Sequence, residues 1–297
     1  MKTTIIANPI AGNGRGQRYA DALEQALQER GIETTLHITA NAGDGQRLAN
    51  TVEGGYIAVV GGDGTVNEVL NGLSDNSVCL AILAAGSVNV VARQLQFPQR
   101  PEVLADWITA AKTRPMDVLE CGGQRAILGG GAGFDAAVAQ RVKASRGDKL
   151  GLWRWVMPTL QTVWARPYPM IRVTVDDREV CAASPYVIVG NCPFSAGSFR
   201  ATPRAKTDDG LLDVVAVKRF GPLKMISLAL GSFLPSFPER ADLVYVQGRH
   251  VDLEPVDNSR VPLQLDGDPA GTLPAQFDVL PDACTVLAPP QKPSPSR

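Results

Sequence analysis

At 297 residues the chain is long enough for about two domains, and 44% apolar content is enough to fill ordinary buried cores. Its 29 basic side chains against 30 acidic ones leave a net charge of -1, which excludes the basic excess of a dedicated nucleic-acid binder; any polyanion must be held locally. Five cysteines without a C-x-x-C pair and two histidines, His37 and His250, argue against zinc and for a reducing, cytoplasmic setting, and no run approaches the roughly 20 apolar residues of a membrane span.

Met1–Ile6 carries no signal-peptide pattern and enters a strand at Thr3–Ala7. A helix follows over Gln17–Gln28, with Tyr19, Leu23, Ala26 and Leu27 near helical spacing and Gly31 as its stop. Strands are predicted at Glu33–Ile38, Tyr56–Val60 and Val78–Leu83, and helices at Asp44–Val52, Val66–Leu73, Val90–Leu95 and Glu102–Thr109. Strands alternating with helices indicate a parallel sheet covered by helices, whose ligands bind at the carboxyl ends of the strands.

After Pro115 the pattern becomes β-rich. Turn pairs Gly122-Gly123, Asp176-Asp177 and Gln247-Gly248 follow strand-like runs at Asp117–Cys121, Ile171–Val175 and Leu243–Val246. Further strands are predicted at Tyr186–Val189, Leu211–Val217, Val261–Leu265 and Gln276–Leu280, with helical material near Ala136–Lys143, Leu152–Trp164 and Leu223–Phe233. The expected division is an α/β domain over 1–116, a mostly antiparallel β domain over 117–288 and a Pro/Ser-rich disordered tail over 289–297.

The strongest local signal is the strand Tyr56–Val60 running into Gly61-Gly62-Asp63-Gly64-Thr65 and then into a helix that contains Val66 and Asn67. Glycines let a ligand approach the backbone, and a helix start aims unpaired N–H groups at an anion. Thr65 with Glu68 three residues on would form a capping box. Taken alone, the motif also suits an ordinary glycine turn. Two companions on the same sheet edge favour a nucleotide crevice: Asn8-Pro9-Ile10-Ala11-Gly12-Asn13-Gly14-Arg15-Gly16 after the first strand, and Ala84-Ala85-Gly86-Ser87-Val88-Asn89 after the fourth, where Ser87 could cap a helix or donate to phosphate. No Walker lysine is present, so amides, hydroxyls and a metal must hold the phosphates. Gly131-Ala132-Gly133-Phe134-Asp135-Ala136 imitates a dinucleotide fingerprint but lacks its βαβ setting, and reads as a backbone-packing or substrate-side turn.

These motifs, in order, make the chain resemble the diacylglycerol kinase catalytic-domain family, in particular its soluble bacterial lipid kinases. The resemblance spans nearly the whole chain: Asn8–Gly12, Gly61–Leu73, Gly86–Arg93, Gly131–Ala136, Asp208–Asp213 and Asp266-Gly267-Asp268. It implies a phosphofructokinase-like α/β domain and a C-terminal β-sandwich that together enclose MgATP and phosphorylate a lipid hydroxyl. It further implies ATP contacts at Asn8, Pro9, Ile10, Ala11, Gly12, Thr39, Gly61, Gly62, Asp63, Gly64, Thr65, Val66, Asn67 and Ser87. A structural Mg2+ would be held by Asp209 with the carbonyls of Lys206 and Leu211, although Asp208-Asp209-Gly210 by itself reads as a solvated turn. Asp268 stands where the family carries its proton-accepting Glu, one methylene shorter, so Asp266 and Asp268 are assigned jointly as catalytic; by composition alone their motif is a hairpin turn. Val90 replaces a family acid, which leaves the acceptor lipid open: diacylglycerol or a related glycerolipid first, then a sphingoid or ceramide-type lipid or a soluble polyol, or an inactive nucleotide- or lipid-binding regulator.

Such an enzyme is expected to meet its lipid substrate by peripheral contact with the inner membrane face, with no nucleic-acid partner and an oligomeric state, homodimer included, that the residues leave open. Trp153, Trp155 and Trp164 fall in the segment 141–166, which carries Arg141, Lys143, Arg146, Lys149, Arg154 and Arg166 against Asp148. Indoles beside cations suit a lipid boundary, but Trp153, Met157, Leu160 and Trp164 also recur at helical spacing, and burial in a core is the favoured expectation. The uncharged stretch following Lys224, Met225–Pro238, is a second candidate acyl-chain groove, with plain packing as its alternative.

Overall fold

The computed structural model describes residues 2–144, 153–164, 168–196, 199–218 and 240–289. The chain divides into two compact units, Met1–Val118 with Pro281–Arg297 and Leu119–Leu280.

The first unit alternates β1 (Lys2–Ala7), α1 (Ala11–Gln28), β2 (Glu33–Ile38), α2 (Asp44–Ala49), β3 (Gly55–Gly61), α3 (Asp63–Gly72), β4 (Val78–Ala84), α4 (Val90–Gln94) and α5 (Pro101–Ala110), then enters β5 (Thr113–Cys121). Strands β2-β1-β3-β4 are adjacent in that order and parallel throughout. The apolar runs explain this arrangement. Ile5, Ile6, Ile57, Val59, Leu80 and Leu83 are fully buried in central strands, while α1 and α5 turn Leu23, Leu27, Leu104 and Ile108 into the core. Residues Gly12, Asn13 and Gly14 within α1 have left-handed φ values of 57°, 61° and 86°, so the chain from Asn8 to Gly14 is a loop and the regular helix begins after it.

The second unit continues with β6 (Gln124–Ala126), β7 (Gly129–Gly133), α6 (Phe134–Ala144), α7 (Trp153–Trp164), β8 (Ile171–Val175), β9 (Arg178–Ser184), β10 (Tyr186–Gly190), β11 (Phe194–Ala196), β12 (Phe199–Arg200), β13 (Leu212–Val217), β14 (Leu243–Gly248), β15 (His250–Pro255), β16 (Pro262–Leu265), β17 (Asp268–Thr272) and β18 (Ala275–Leu287). One antiparallel sheet runs β14-β13-β10-β7-β16-β17. Its two faces are both buried, and the two-residue period of a strand divides its side chains between them. Val187, Val189, Val214 and Ala216 join Val173, Val251, Leu253 and Phe277 in one core, the interior of a sandwich with β8, β15 and the start of β18. Tyr186, Ile188, Val215 and Val217 face the other way, onto Phe134, Val138, Val142 and Val163 of α6 and α7. An all-apolar strand such as Tyr186–Gly190 is therefore continuous in sequence because both its sides are covered.

The last part of β18 returns to the first unit, where Thr285 and Val286 pair in parallel with Cys79 and Leu80 of β4. A division of the chain into 1–116 and 117–288 does not carry this return. The turn pairs Gly122-Gly123 and Asp176-Asp177 close the β5–β6 and β8–β9 hairpins with positive φ at both positions. Gln247-Gly248 does not close a hairpin: β14 belongs to the six-stranded sheet, whereas β15 pairs with β8 and β18, so the chain changes sheets there. Backbone amides of Arg249 and His250 donate to Asp176 Oδ1 at 2.9 and 3.0 Å, two bonds that fix the crossing point and that no local pattern reveals.

Among the described residues no helix is long and apolar enough to cross a membrane. Trp164 is 73% exposed, which corrects its expected burial: α7 packs Thr162 and Val163 inward, and Trp164 follows on the opposite side. The side chains of Trp153 and Trp155, the helix expected at Leu223–Phe233, the stretch Met225–Pro238 and the tail beyond residue 289 lie outside the described residues.

Candidate active site

In the first unit, β1, β3 and β4 end side by side, and the loop that follows each strand carries one glycine motif. The loops touch at backbone level. Asn8 N donates to Val60 O at 2.9 Å, Ala85 N to Gly61 O at 2.8 Å, and Thr39 N to Ala7 O at 2.9 Å. Side chains add Asn8 Nδ2 to Thr65 Oγ1 at 3.4 Å and Thr39 Oγ1 to Ala7 O at 3.3 Å. A Cβ on Gly12 would stand 2.0 Å from Ala85 O, and one on Gly86 would stand 2.6 Å from Gly62 Cα, so only glycine permits this approach. Gly64 is different: a Cβ there would meet nothing within 4 Å.

Helix α3 begins at the centre of this rim, and no side chain caps it; its N-cap is Gly62. Its amino end is therefore suited to an anion. The expected capping box is absent. Thr65 N donates to Gly62 O, and Glu68 instead reaches α2, accepting from Gly43 N at 2.9 Å and Gly45 N at 3.1 Å. Val66 is buried, and Asn67 Oδ1 accepts from Asn71 Nδ2 at 3.1 Å. The side chains of these two residues are thus engaged within the fold, whereas Pro9, Ile10, Ala11 and Ser87 lie on the loops themselves.

Asp63 has an assignment that spacing alone does not reveal. Its Oδ1 accepts from Val91 N at 2.9 Å and its Oδ2 from Val90 N at 3.1 Å. It thereby caps α4 in place of Ser87 and ties the Gly86–Asn89 loop to the start of α3. Residue 90 contributes a backbone N–H to this brace while its side chain is 7% exposed, so valine at that position leaves the brace intact.

In the second unit, Asp266 and Gly267, with φ of 48° and 87°, form the two-residue turn between β16 and β17. Ile127 N, Leu128 N and Gly129 N donate to the Asp266 carboxylate at 2.9, 2.9 and 3.0 Å. Three amide donors make it an anchor for the turn. Asp268 is solvent-facing, its side chain 66% exposed, with Lys143 Nζ at 3.2 Å from Oδ1. The structure thus separates two carboxylates that the sequence assigns jointly.

A third carboxylate, Asp135, lies in the first turn of α6. It keeps partial contact with solvent yet is surrounded deeply enough that burial pushes its carboxyl up to about 6, against the opposing hydrogen bond from Gln264 Nε2 at 2.7 Å. Gln264 Oε1 in turn accepts from Gly267 N at 2.7 Å, which links Asp135 to the Asp266-Gly267-Asp268 turn. Asp135 sits inside the Gly131–Ala136 motif and is absent from the sequence-derived catalytic set. An acid directly after a buried glycine strand, at a helix start, is the signal that could have found it.

In the loop Lys206–Leu211 the expected ligands are all oxygens, the Asp209 carboxylate and the carbonyls of Lys206 and Leu211. Asp209 Oδ1 accepts from Leu211 N at 3.2 Å, which turns the carboxylate into the loop. This donor set fits a hard divalent cation completed by water. Nearby Asp213 is buried and already accepts from Tyr245 Oη and from Gln247 Nε2 at 3.0 Å, and burial pushes its carboxyl up. No group of three or more His, Cys, Asp or Glu placed to hold a metal ion occurs among the described residues. All five cysteines are buried, and burial pushes the Cys79 and Cys121 thiols up to about 12 and 11, so neither is a nucleophile at neutral pH.

Comparison with known proteins covers both units. Residues 2–121 match the family described as diacylglycerol kinase catalytic domain, and residues 130–288 match the YegS C-terminal NAD kinase beta sandwich-like domain. The chain is 26% identical to a diacylglycerol kinase of Bacillus subtilis (strain 168), over 98% of this chain and 97% of the relative. It is 30% identical to a protein named probable lipid kinase YegS-like of Chromohalobacter salexigens, over 93% of this chain and 91% of the relative. A crystal structure of a diacylglycerol kinase from Bacillus anthracis str. Sterne superposes with a TM-score of 0.76 at 26% identity, covering 97% of each chain.

Proposed function

Since the chain belongs to the lipid kinase family that joins a diacylglycerol kinase catalytic domain to a YegS-type beta sandwich-like domain, we propose that it transfers the γ-phosphoryl group of MgATP to the hydroxyl of a glycerolipid, diacylglycerol first among them. The observation that carries this reading is the uncapped start of α3 ringed by three glycine loops in backbone contact. Phosphoryl transfer asks chiefly for positioning and for relief of negative charge, and main-chain N–H groups on a rigid rim provide both. The triphosphate lies against Gly61–Thr65 and Asn8–Gly12. Asp63 holds the rim together through Val90 and Val91 and leaves phosphate contact to the amides.

The acceptor side is the work of the second unit. Asp268 is the proton acceptor, on a turn that Asp266 anchors. Asp135, whose carboxyl burial pushes up to about 6, acts as a positioning residue for that turn, because Gln264 bridges from its carboxylate to Gly267 N. Asp209 with the carbonyls of Lys206 and Leu211 would hold a Mg2+ that orders the loop entering β13.

The test is incubation with γ-labelled ATP, magnesium and a panel of diacylglycerol, phosphatidylglycerol, ceramide and sphingosine in mixed micelles, with soluble polyols in parallel. Label is expected in diacylglycerol. Label confined to the polyols, or tight ATP binding with no labelled acceptor, would overturn the reading.

A further inference from the structure

Arg15 is a basic side chain that the fold ties into the glycine rim of the first unit. Its Nε donates to Gly12 O at 3.1 Å and its Nη2 to Gly86 O at 3.4 Å, so one guanidinium spans the loops after β1 and β4. The left-handed φ values of Gly12, Asn13 and Gly14 turn the chain so that the side chain of residue 15 reaches back over the loop it has just left. A Cβ on Gly12 would stand 2.8 Å from both Nε and Nη2, so glycine there also makes room for the guanidinium. Gly86 in turn lies against Gly62, the N-cap of α3: a Cβ on Gly62 would meet Gly86 Cα at 3.4 Å. Gly86 is thus the link between the guanidinium and the uncapped amino end of α3.

Stapling two loops does not use the charge of this side chain. Both acceptors are neutral carbonyls, and among the described residues no carboxylate pairs with Arg15. The acid in the first turn of α3, Asp63, is spent on Val90 N and Val91 N. A guanidinium presents its N–H donors as a planar fork; the two carbonyls hold Nε and Nη2, and Nη1 stays open on an exposed side chain. An open donor edge on a fixed, permanently charged plane matches the oxygens of a phosphate. The other two motifs of the rim, Gly61–Leu73 and Ala84–Asn89, contain neither lysine nor arginine.

We propose that Arg15 is the cation of the nucleotide site: held from behind by Gly12 O and Gly86 O, it donates its free edge to the phosphate chain lying on the start of α3. This rests on the nucleotide half of the kinase reading and adds to it a residue outside the expected contact set. Arg15 does from the first loop what a Walker lysine does elsewhere, and its planar fork fixes the orientation of the phosphates as well as their charge.

The experiment is calorimetric titration of the full chain with MgATP and, separately, with inorganic tripolyphosphate, in the parent and in Arg15→Gln, Arg15→Lys and Arg18→Gln. Arg15→Gln should weaken both ligands about tenfold to a hundredfold and flatten the salt dependence of MgATP binding. Arg15→Lys keeps the charge but not the fork that reaches two carbonyls, and should bind MgATP at least about fivefold more tightly than Arg15→Gln. Arg18, exposed further along α1, carries the same charge, and Arg18→Gln should leave both affinities within about twofold of the parent. Circular dichroism and urea melts verify the fold of each variant. Parental affinity in Arg15→Gln, equal losses in Arg15→Gln and Arg15→Lys as a loop staple requires, or an equal loss in Arg18→Gln would overturn the proposal while the nucleotide reading stands. A parent that binds neither ligand would overturn both. Arg15-dependent ATP binding without phosphorylation of any acceptor would leave the proposal standing and sink the kinase reading instead.

Discussion

Gln264 Nε2 donates to Asp135 Oδ2 at 2.7 Å, so a half-buried carboxylate in the first turn of α6 is held by an amide from the strand that leads into the Asp266-Gly267-Asp268 turn. The amide cannot flip freely, because its oxygen is fixed by Gly267 N. Burial raises the Asp135 pKa and the Gln264 bond lowers it, so the bond sets where the carboxylate becomes charged.

Loss of that bond should therefore move a pH profile as well as a rate. Activity is expected to rise with pH through about 6 as Asp135 ionises, and Gln264→Leu should move that limb upward, with a larger loss at low pH than at high. Asp135→Asn should abolish most transfer. It should also raise stability above pH 6, because a carboxylate whose folded-state pKa is raised is stabilising only while protonated and costs free energy once charged. Rate–pH profiles and urea melts of both variants check this; an unshifted limb in Gln264→Leu would remove the positioning role.

The two acids of the turn should separate cleanly. Asp266→Ala leaves three amide donors without their acceptor and should cost about 2 to 5 kcal/mol of stability. Asp268→Asn touches only an exposed ion pair, so its melting temperature should hardly move while turnover falls about 10² to 10⁴-fold with ATP still bound. Thermal melts beside nucleotide-binding titrations distinguish the two.

Glycines of the rim divide in the same way. Gly86→Ala forces a Cβ to 2.6 Å from the Gly62 Cα and should cost about 1 to 3 kcal/mol. Gly64→Ala meets no protein atom within 4 Å and sits in a helix, so stability should stay within about 1 kcal/mol of the parent. Its methyl group occupies the space through which a phosphate approaches the amides of α3, and the KM for ATP should rise about tenfold or more. A Gly64→Ala enzyme with parental ATP affinity would move the triphosphate away from this helix.

His250 offers a pH test of the fold rather than of catalysis. Its Nδ1 lies 2.7 Å from Asp278 Oδ1 and its Nε2 3.2 Å from Asp252 Oδ2, while Asp176 accepts its backbone N–H. The hydrogen bond to Asp278 holds its pKa above the ordinary histidine value, against partial burial. Stabilisation from a raised histidine is complete below the unfolded value of about 6.5 and is lost as pH rises through the folded value. Urea melts should show His250→Gln destabilising the protein at about pH 5.5 and less so at about pH 8.5. Equal destabilisation at both would show that charge is not involved.

The periodic parts of the fold were legible in the residues. The strand Glu33–Ile38 has the predicted bounds, and the other strands of the first unit differ only at their ends, because alternating apolar runs and glycine stops act within a few residues of chain. The same holds for the three glycine loops and for the hairpins at Gly122-Gly123 and Asp176-Asp177, where the turn residues themselves carry the required positive φ. Gln247-Gly248 misled because its neighbours in space, Asp176 among them, are some seventy residues away in sequence.

The carboxylates mark where local reading ends. Residue type alone made carboxylates the natural candidates for proton chemistry, since the chain has only two histidines, His37 and His250, and neither lies in a motif. Only the tertiary structure decided which acid does what: Asp63 and Asp266 accept backbone amides, Asp268 faces solvent, and Asp135 is raised by burial. A carboxylate's role follows from the donors and the dielectric around it, and both are supplied by residues distant in sequence that only folding brings near.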